Sequence, residues 1–180
     1  MRVLVAYASR HGATQGIAEH IAETLRTAGF EAETIRVTAA KSLAGYDAFV
    51  IGSAAYMFHW EKDATSFVRR NRAVIAAKPT WLFSSGPLGT EPLDEEGRDQ
   101  KVALVPREIP GLREAVRARD HRVFFGAFEH GRKPIGLAER FMNLMPAARD
   151  ATPVGDFRDW PEIEAWAAGI AVALGRDPTT

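Results

Sequence analysis

Short apolar runs alternate with helix-length amphipathic segments along the 180-residue chain, and this alternation restricts the fold more than any single motif. Residues 2–7 (Arg-Val-Leu-Val-Ala-Tyr) form a nearly continuous apolar run of the kind given by a strand buried on both faces. Residues 13–28 follow, with Ile17, Ile21, Ala22 and Leu25 at helical spacing and Gly29 as a stop. Residues 31–37 alternate polar and apolar, and 47–51 (Asp-Ala-Phe-Val-Ile) are again apolar before Gly52. A helix is predicted over 62–77, burying Ala64, Phe67, Val68 and Ile75, and Pro79 opens a strand over 80–83. After a Gly- and Pro-rich loop over 84–100 come a helix over 109–119 and a fifth strand over 121–128. The closing helix starts at Asp159, with Glu162 at capping-box spacing and Ile163, Trp166, Ala167, Ile170 and Leu174 on its apolar face. Strands separated by helices require parallel pairing with right-handed crossovers, so the expected fold is α/β: a doubly wound three-layer sandwich around a five-stranded parallel sheet. The length suits a single domain over 1–180.

Composition removes several function classes. With no cysteine there is no disulfide, no thiolate metal site and no thiol nucleophile. Lys plus Arg (23) balances Asp plus Glu (23), so no global basic field favours nucleic acid. The opening apolar run is too short to span a membrane and has no export-signal pattern, which makes a cytoplasmic location the expectation. His11, His20, His59, His121 and His130 show no metal-ligand spacing. His20 and His121 read as surface or strand-start residues, while the run Arg69-Arg70-Asn71-Arg72 reads as a solvated helix face.

In a doubly wound sheet, ligands bind beyond the carboxyl ends of the strands. The first such loop, Ser9, Arg10, His11, Gly12, Ala13 and Thr14, runs directly into a helix. Short hydroxyl side chains, one glycine and the free amides of a helix start form a phosphate cradle. The loop lacks both the G-x-G-x-x-G spacing of dinucleotide folds and the Gly-Lys-Ser/Thr ending of a P-loop. Related topologies fail on absent residues: there is no acid after the third strand for a phosphoacceptor, no phosphatase cysteine and no G-x-S-x-G turn.

Tyr7, Ser9, Gly12 and Thr14, with Ala18 and Ile21 in the following helix, make the chain resemble flavodoxins. The resemblance implies a flavodoxin-like sheet of order 2-1-3-4-5 and FMN as cofactor, its phosphate in the 9–14 loop. It also implies that Ser53, Ala54, Ala55, Tyr56 and Met57 contact the isoalloxazine from one side. Ser84, Ser85, Gly86, Pro87, Leu88 and Gly89 are then the partner loop of the same ring. Tyr56 stacks on the ring or gives it a hydroxyl; alternatively Tyr56, Phe58 and Trp60 only staple the next helix to the sheet. No glycine lies between Ser53 and Tyr56, so a left-handed peptide there costs about 1–2 kcal/mol per residue, which disfavours one-electron chemistry.

Electron-shuttle flavodoxins are usually strongly acidic, whereas this chain is neutral. The segment 129–145, with Gly126-Ala127 before it and Asp159-Trp160 after it, resembles the flavodoxin-like branch that includes quinone-dependent protoporphyrinogen dehydrogenases. That resemblance implies an FMN oxidoreductase acting on a quinone or porphyrinogen; the alternative is an electron-transfer protein with no small-molecule substrate of its own. Ile135, Leu137, Phe141, Met142, Leu144 and Met145 beside Arg132, Lys133 and Arg140 form a substrate or peripheral membrane surface, or else an ordinary packed helix.

Overall fold

The first strand, β1 (Arg2–Ala8), alternates its side chains between two separate cores. Val3, Val5 and Tyr7 enter one, Leu4, Ala6 and Ala8 the other. A strand buried on both sides needs a helical layer on each, and the remaining elements supply them. In chain order these are α1 (Ala13–Thr27), β2 (Glu31–Arg36), β3 (Ala48–Tyr56), β4 (His59–Trp60), α2 (Lys62–Arg70), α3 (Arg72–Ala76) and β5 (Thr80–Ser85). They continue with α4 (Gln100–Ala103), α5 (Ile109–Val116), β6 (Asp120–Phe124), β7 (Ala127–Phe128), β8 (Gly155–Asp156) and α6 (Trp160–Arg176). This computed structural model describes residues 1–86, 88, 93, 96–128 and 154–176.

The main sheet has the order β2-β1-β3-β5-β6, all parallel, which is the expected 2-1-3-4-5 arrangement of the five principal strands. A sixth strand, β4, is added antiparallel to the end of β3 through Ala55–Trp60 and Tyr56–His59. On one face α1 and α6 bury Ile17, Ile21, Leu25, Ile163, Trp166 and Ile170 around an aromatic group of Phe83, Phe124 and Trp166. Their ring centroids lie 5.5–6.3 Å apart, inside the range of edge-to-face contacts. On the other face α2, α3 and α5 bury Phe67, Val68, Ile75, Leu112 and Val116.

Several element boundaries differ from the sequence expectation. The 62–77 helix is divided at Asn71, whose side-chain amide donates to Phe67 O (2.9 Å) and competes for the helical acceptor. The 109–119 helix stops at Val116 because Arg117 turns left-handed (φ 52°), closing with an Ala118 N to Arg113 O bond. The 121–128 strand is two pieces: β6 pairs with β5, and β7 leaves to pair with β8. Asp159 does cap the closing helix, accepting from Glu162 N (3.0 Å), but the Glu162 carboxylate reaches Lys101 Nζ (2.5 Å) instead of completing a box. Both segments read as ring-facing loops begin as strand: β3 continues through Tyr56 and β5 through Ser85.

Candidate functional site

The carboxyl ends of β1, β3 and β5 bring the three sequence-selected segments together, and the chain after β6 completes the wall. One cleft is lined by Ser9, His11, Ala13, Thr14, Ala54, Ala55, Tyr56, Ser85, Gly86 and Leu88, with Gly126, Ala127 and Phe128 opposite. The last three lay outside the sequence-selected set, because their role depends on the break between β6 and β7.

The 9–14 loop is held from within. The Ser9 hydroxyl accepts from Gly12 N (3.0 Å), and Gly12 is left-handed (φ 90°), a conformation that favours glycine. From outside, Arg36 Nη1 donates to Ser9 O (2.8 Å). Thr14 is buried on the first turn of α1. Among the described residues no side chain caps this helix, and its first turn contains no acid. Its leading amides and positive dipole end are therefore available to an anion. These features fit a flavin phosphate. Gly86 fits the ring end: a Cβ there would lie 3.1 Å from the Ala55 Cβ and 3.4 Å from Ala55 O, so a side chain would crowd the gap between the two ring-facing strands.

Not every predicted residue turns its side chain to the cleft. Ser53 is fully buried, its hydroxyl donating to Ala54 O (2.9 Å) and accepting from Glu61 N (3.0 Å). Ser84 is equally buried and lies between Trp60 and His121: Trp60 Nε1 donates to Ser84 Oγ (2.8 Å), and Ser84 Oγ meets His121 Nε2 (2.8 Å). Because an indole N–H can only donate, full pairing directs the Ser84 proton to His121 Nε2 and gives His121 the Nδ1–H tautomer. Burial, with help from Arg113, pushes the His121 imidazole down to about 4, so it is neutral at pH 7. His121 is the second residue of β6, as the strand-start reading expects, and its half-buried ring joins the Trp60–Ser84 network.

Arg10 stands over the Tyr56 ring (4.5 Å), and the two line a wider groove on the far side of Tyr56 with Arg36, Glu61, Lys62 and Arg69. Burial pushes the Glu61 carboxyl up against the opposing pull of Arg10 and Arg36. Gly12 lines a neighbouring opening beside Arg158. Met57, 78% exposed, is at the tip of the β3–β4 hairpin, where Met57 and Phe58 are both left-handed (φ 48° and 65°). The positive-φ turn is therefore at Met57 and Phe58, while Ala54 and Ala55, where the sequence makes a left-handed peptide costly, are fixed in strand by pairing with Ser85 and Trp60. Pro87, Gly89, His130 and the 129–145 segment lie outside the described residues. Among the described residues no group of His, Asp and Glu could hold a metal ion, and no helix is long and apolar enough to cross a membrane.

The fold has many solved counterparts. A flavodoxin mutant from Pseudomonas aeruginosa superposes with TM-score 0.60 at 17% identity, covering 97% of this chain and 99% of that one. A flavodoxin from the domain Archaea gives TM-score 0.59 at 14% identity over 98% and 100% of the two chains. A flavodiiron core from Synechocystis gives TM-score 0.62 at 15% identity, covering 99% of this chain and 37% of that one. At these identities the likeness is one of fold. A search of the curated proteins found no match. The family model described as a flavodoxin domain matches residues 4–142, and members of that family bind FMN. With that match over most of its length, the chain belongs to the flavodoxin-domain family.

Proposed function

We propose that this protein is an FMN oxidoreductase that passes electron pairs between its flavin and a quinone or porphyrinogen-like substrate. The flavodoxin-type electron-transfer fold is its frame. The observation that carries the electron-pair reading is the state of the backbone at Ala54 and Ala55, paired on one side with Ser85 and on the other with Trp60. A peptide locked in this way does not turn over to reward a singly reduced ring, so reduction in pairs is favoured. Bound FMN supplies the redox chemistry: two electrons taken from a donor, passed with two protons, convert a quinone to a quinol. The chain's own residues do the rest. The Ser9 and Thr14 hydroxyls and the α1 amides hold the phosphate, while the strand ends at 54–56 and 85–86 flank the ring and exclude water from its edges.

A second reading, an electron-transfer protein with no small substrate, is favoured by the exposed Met57–Phe58 tip beside the cleft, residue types enriched where proteins dock. Reductive titration of the FMN-loaded protein separates the two. One cooperative two-electron transition with quinone turnover supports the oxidoreductase; two well-separated one-electron steps without turnover support the shuttle.

A further inference from the structure

Arg158 reaches the first turn of α1 from 145 residues further along the chain, and every contact around it fixes its direction. Its Nε and Nη2 donate to the two oxygens of Asp156 (2.7 and 2.5 Å), and its backbone N donates to the same carboxylate (3.1 Å). These bonds hold the Asp156 carboxyl below its usual range. Asp156 is itself anchored by β8, which pairs with Ala127 on the wall of the flavin cleft. The guanidinium lies 4.4 Å from the Trp160 ring centroid. Nη1 carries two protons but has a single long contact among the described residues, to Ala13 O (3.4 Å).

Gly16 gives an independent observation. A glycine inside a helix costs about 1 kcal/mol relative to alanine. Here a Cβ would sit 2.5 Å from Arg158 Nη1, so the glycine keeps open the space that the guanidinium occupies. The placement also runs against helix electrostatics, because cations are disfavoured at the positive end of the dipole. Asp156 offsets the charge, but both its oxygens are engaged in holding Arg158. The nearby Glu19 carboxylate accepts from Gln15 Nε2 (2.8 Å). Beside the guanidinium, His11, Gly12 and Ala13 line an opening on the flank of the 9–14 loop.

We infer that Arg158 is a phosphate-recognition residue, oriented by Asp156 and Trp160 to place a fixed positive charge beside the Ser9–Thr14 loop and to select the phosphate monoester of FMN over uncharged riboflavin. This rests on the FMN reading of the cleft. A guanidinium held in a fork gives up little freedom when it binds an anion, and charge-assisted hydrogen bonds are the strong ones.

The test is titration of apoprotein with FMN and with riboflavin, comparing wild type with Arg158→Gln, Arg158→Lys and Gly16→Ala, with thermal unfolding of each apoprotein as the folding control. Arg158→Gln is expected to weaken FMN roughly 10- to 100-fold and leave riboflavin unchanged. Arg158→Lys retains charge without the fork and falls between. Gly16→Ala removes no charge and improves helix propensity, yet it is expected to weaken FMN by displacing Nη1. Equal losses for both flavins, or no loss for FMN, overturn the phosphate role. Wild-type apoprotein that binds neither flavin overturns the FMN reading itself, a pattern distinct from either.

Discussion

At the proposed phosphate end of the cleft, Ser9, Gly12 and Thr14 are neighbours in sequence, and a single loop-to-helix turn assembles them. At the ring end, the neighbouring strand ends are held by a chain of bonds from Trp60 through Ser84 to His121, residues 24 and 37 positions apart. The local device leaves backbone amides at a helix start; the distributed one uses the polar side chains of Trp60, Ser84 and His121 on one another. On the proposed FMN reading, side-chain chemistry at the two ends has separate duties, affinity at one and spacing of the strand ends at the other. The two can therefore be perturbed independently.

The largest expected effect is at the ring end. Ser84→Ala removes the buried acceptor of Trp60 Nε1 and the partly buried partner of His121 Nε2. An orphaned buried polar group costs about 1–3 kcal/mol, so the apoprotein is expected to lose about 2–5 kcal/mol in denaturant unfolding. The ratio of FMN to riboflavin affinity should stay as in wild type. A change in that ratio as large as the one expected for Arg158→Gln would show that the two ends are not separate.

A pH experiment sharpens the same comparison. His121 titrates near 4 in the folded protein against an ordinary value of 6.5, so between those values the unfolded chain binds a proton that the folded chain refuses. Stability therefore falls as pH drops from about 6.5 to about 4, by about 3 kcal/mol in total, and this contribution is constant below that window. His121→Gln should flatten the slope. An imidazole NMR titration placing His121 near 6.5 would contradict its burial in the network.

Apolar periodicity showed the parallel sheet and a hydroxyl-rich helix start marked the candidate phosphate loop, because both are local signals; the strand order came through the resemblance to flavodoxins. The sequence missed what depends on distant partners. Ser84 looks like loop until β5 is seen to pair through Ser85, and His121, at the start of β6 as expected, gives no sign in sequence that its ring meets the Ser84 hydroxyl. Arg158 had a faint signal, an Asp-x-Arg spacing with Asp156 together with a helix-interior Gly16, but nothing in sequence joins positions so far apart. The 62–77 helix is present with the expected residues buried, but its break at Asn71 has another cause: Asn71 bonds the backbone with its own side chain, which apolar spacing does not reveal.

The smallest expected effect concerns the tip between the ring-facing strand and its return. The sequence argues against a left-handed backbone at Ala54 and Ala55, and it occurs instead at Met57 and Phe58, consecutive positive-φ residues of the kind found in tight hairpins. Met57 is largely exposed, so replacing it changes little packing. Met57→Gly should relieve the left-handed strain, worth about 1–2 kcal/mol, against the greater freedom glycine gives the unfolded chain. The net expectation is a gain of about 0.5–1 kcal/mol in apoprotein stability. Ala55→Gly makes the contrast, since Ala55 is paired in strand and glycine there should cost about 0.5–1 kcal/mol. Opposite signs from the two substitutions in one set of denaturant curves would fix the turn at 57–58. Reversed signs, with Ala55→Gly stabilising and Met57→Gly destabilising, would place the turn at the alanines and remove the backbone argument for paired-electron transfer.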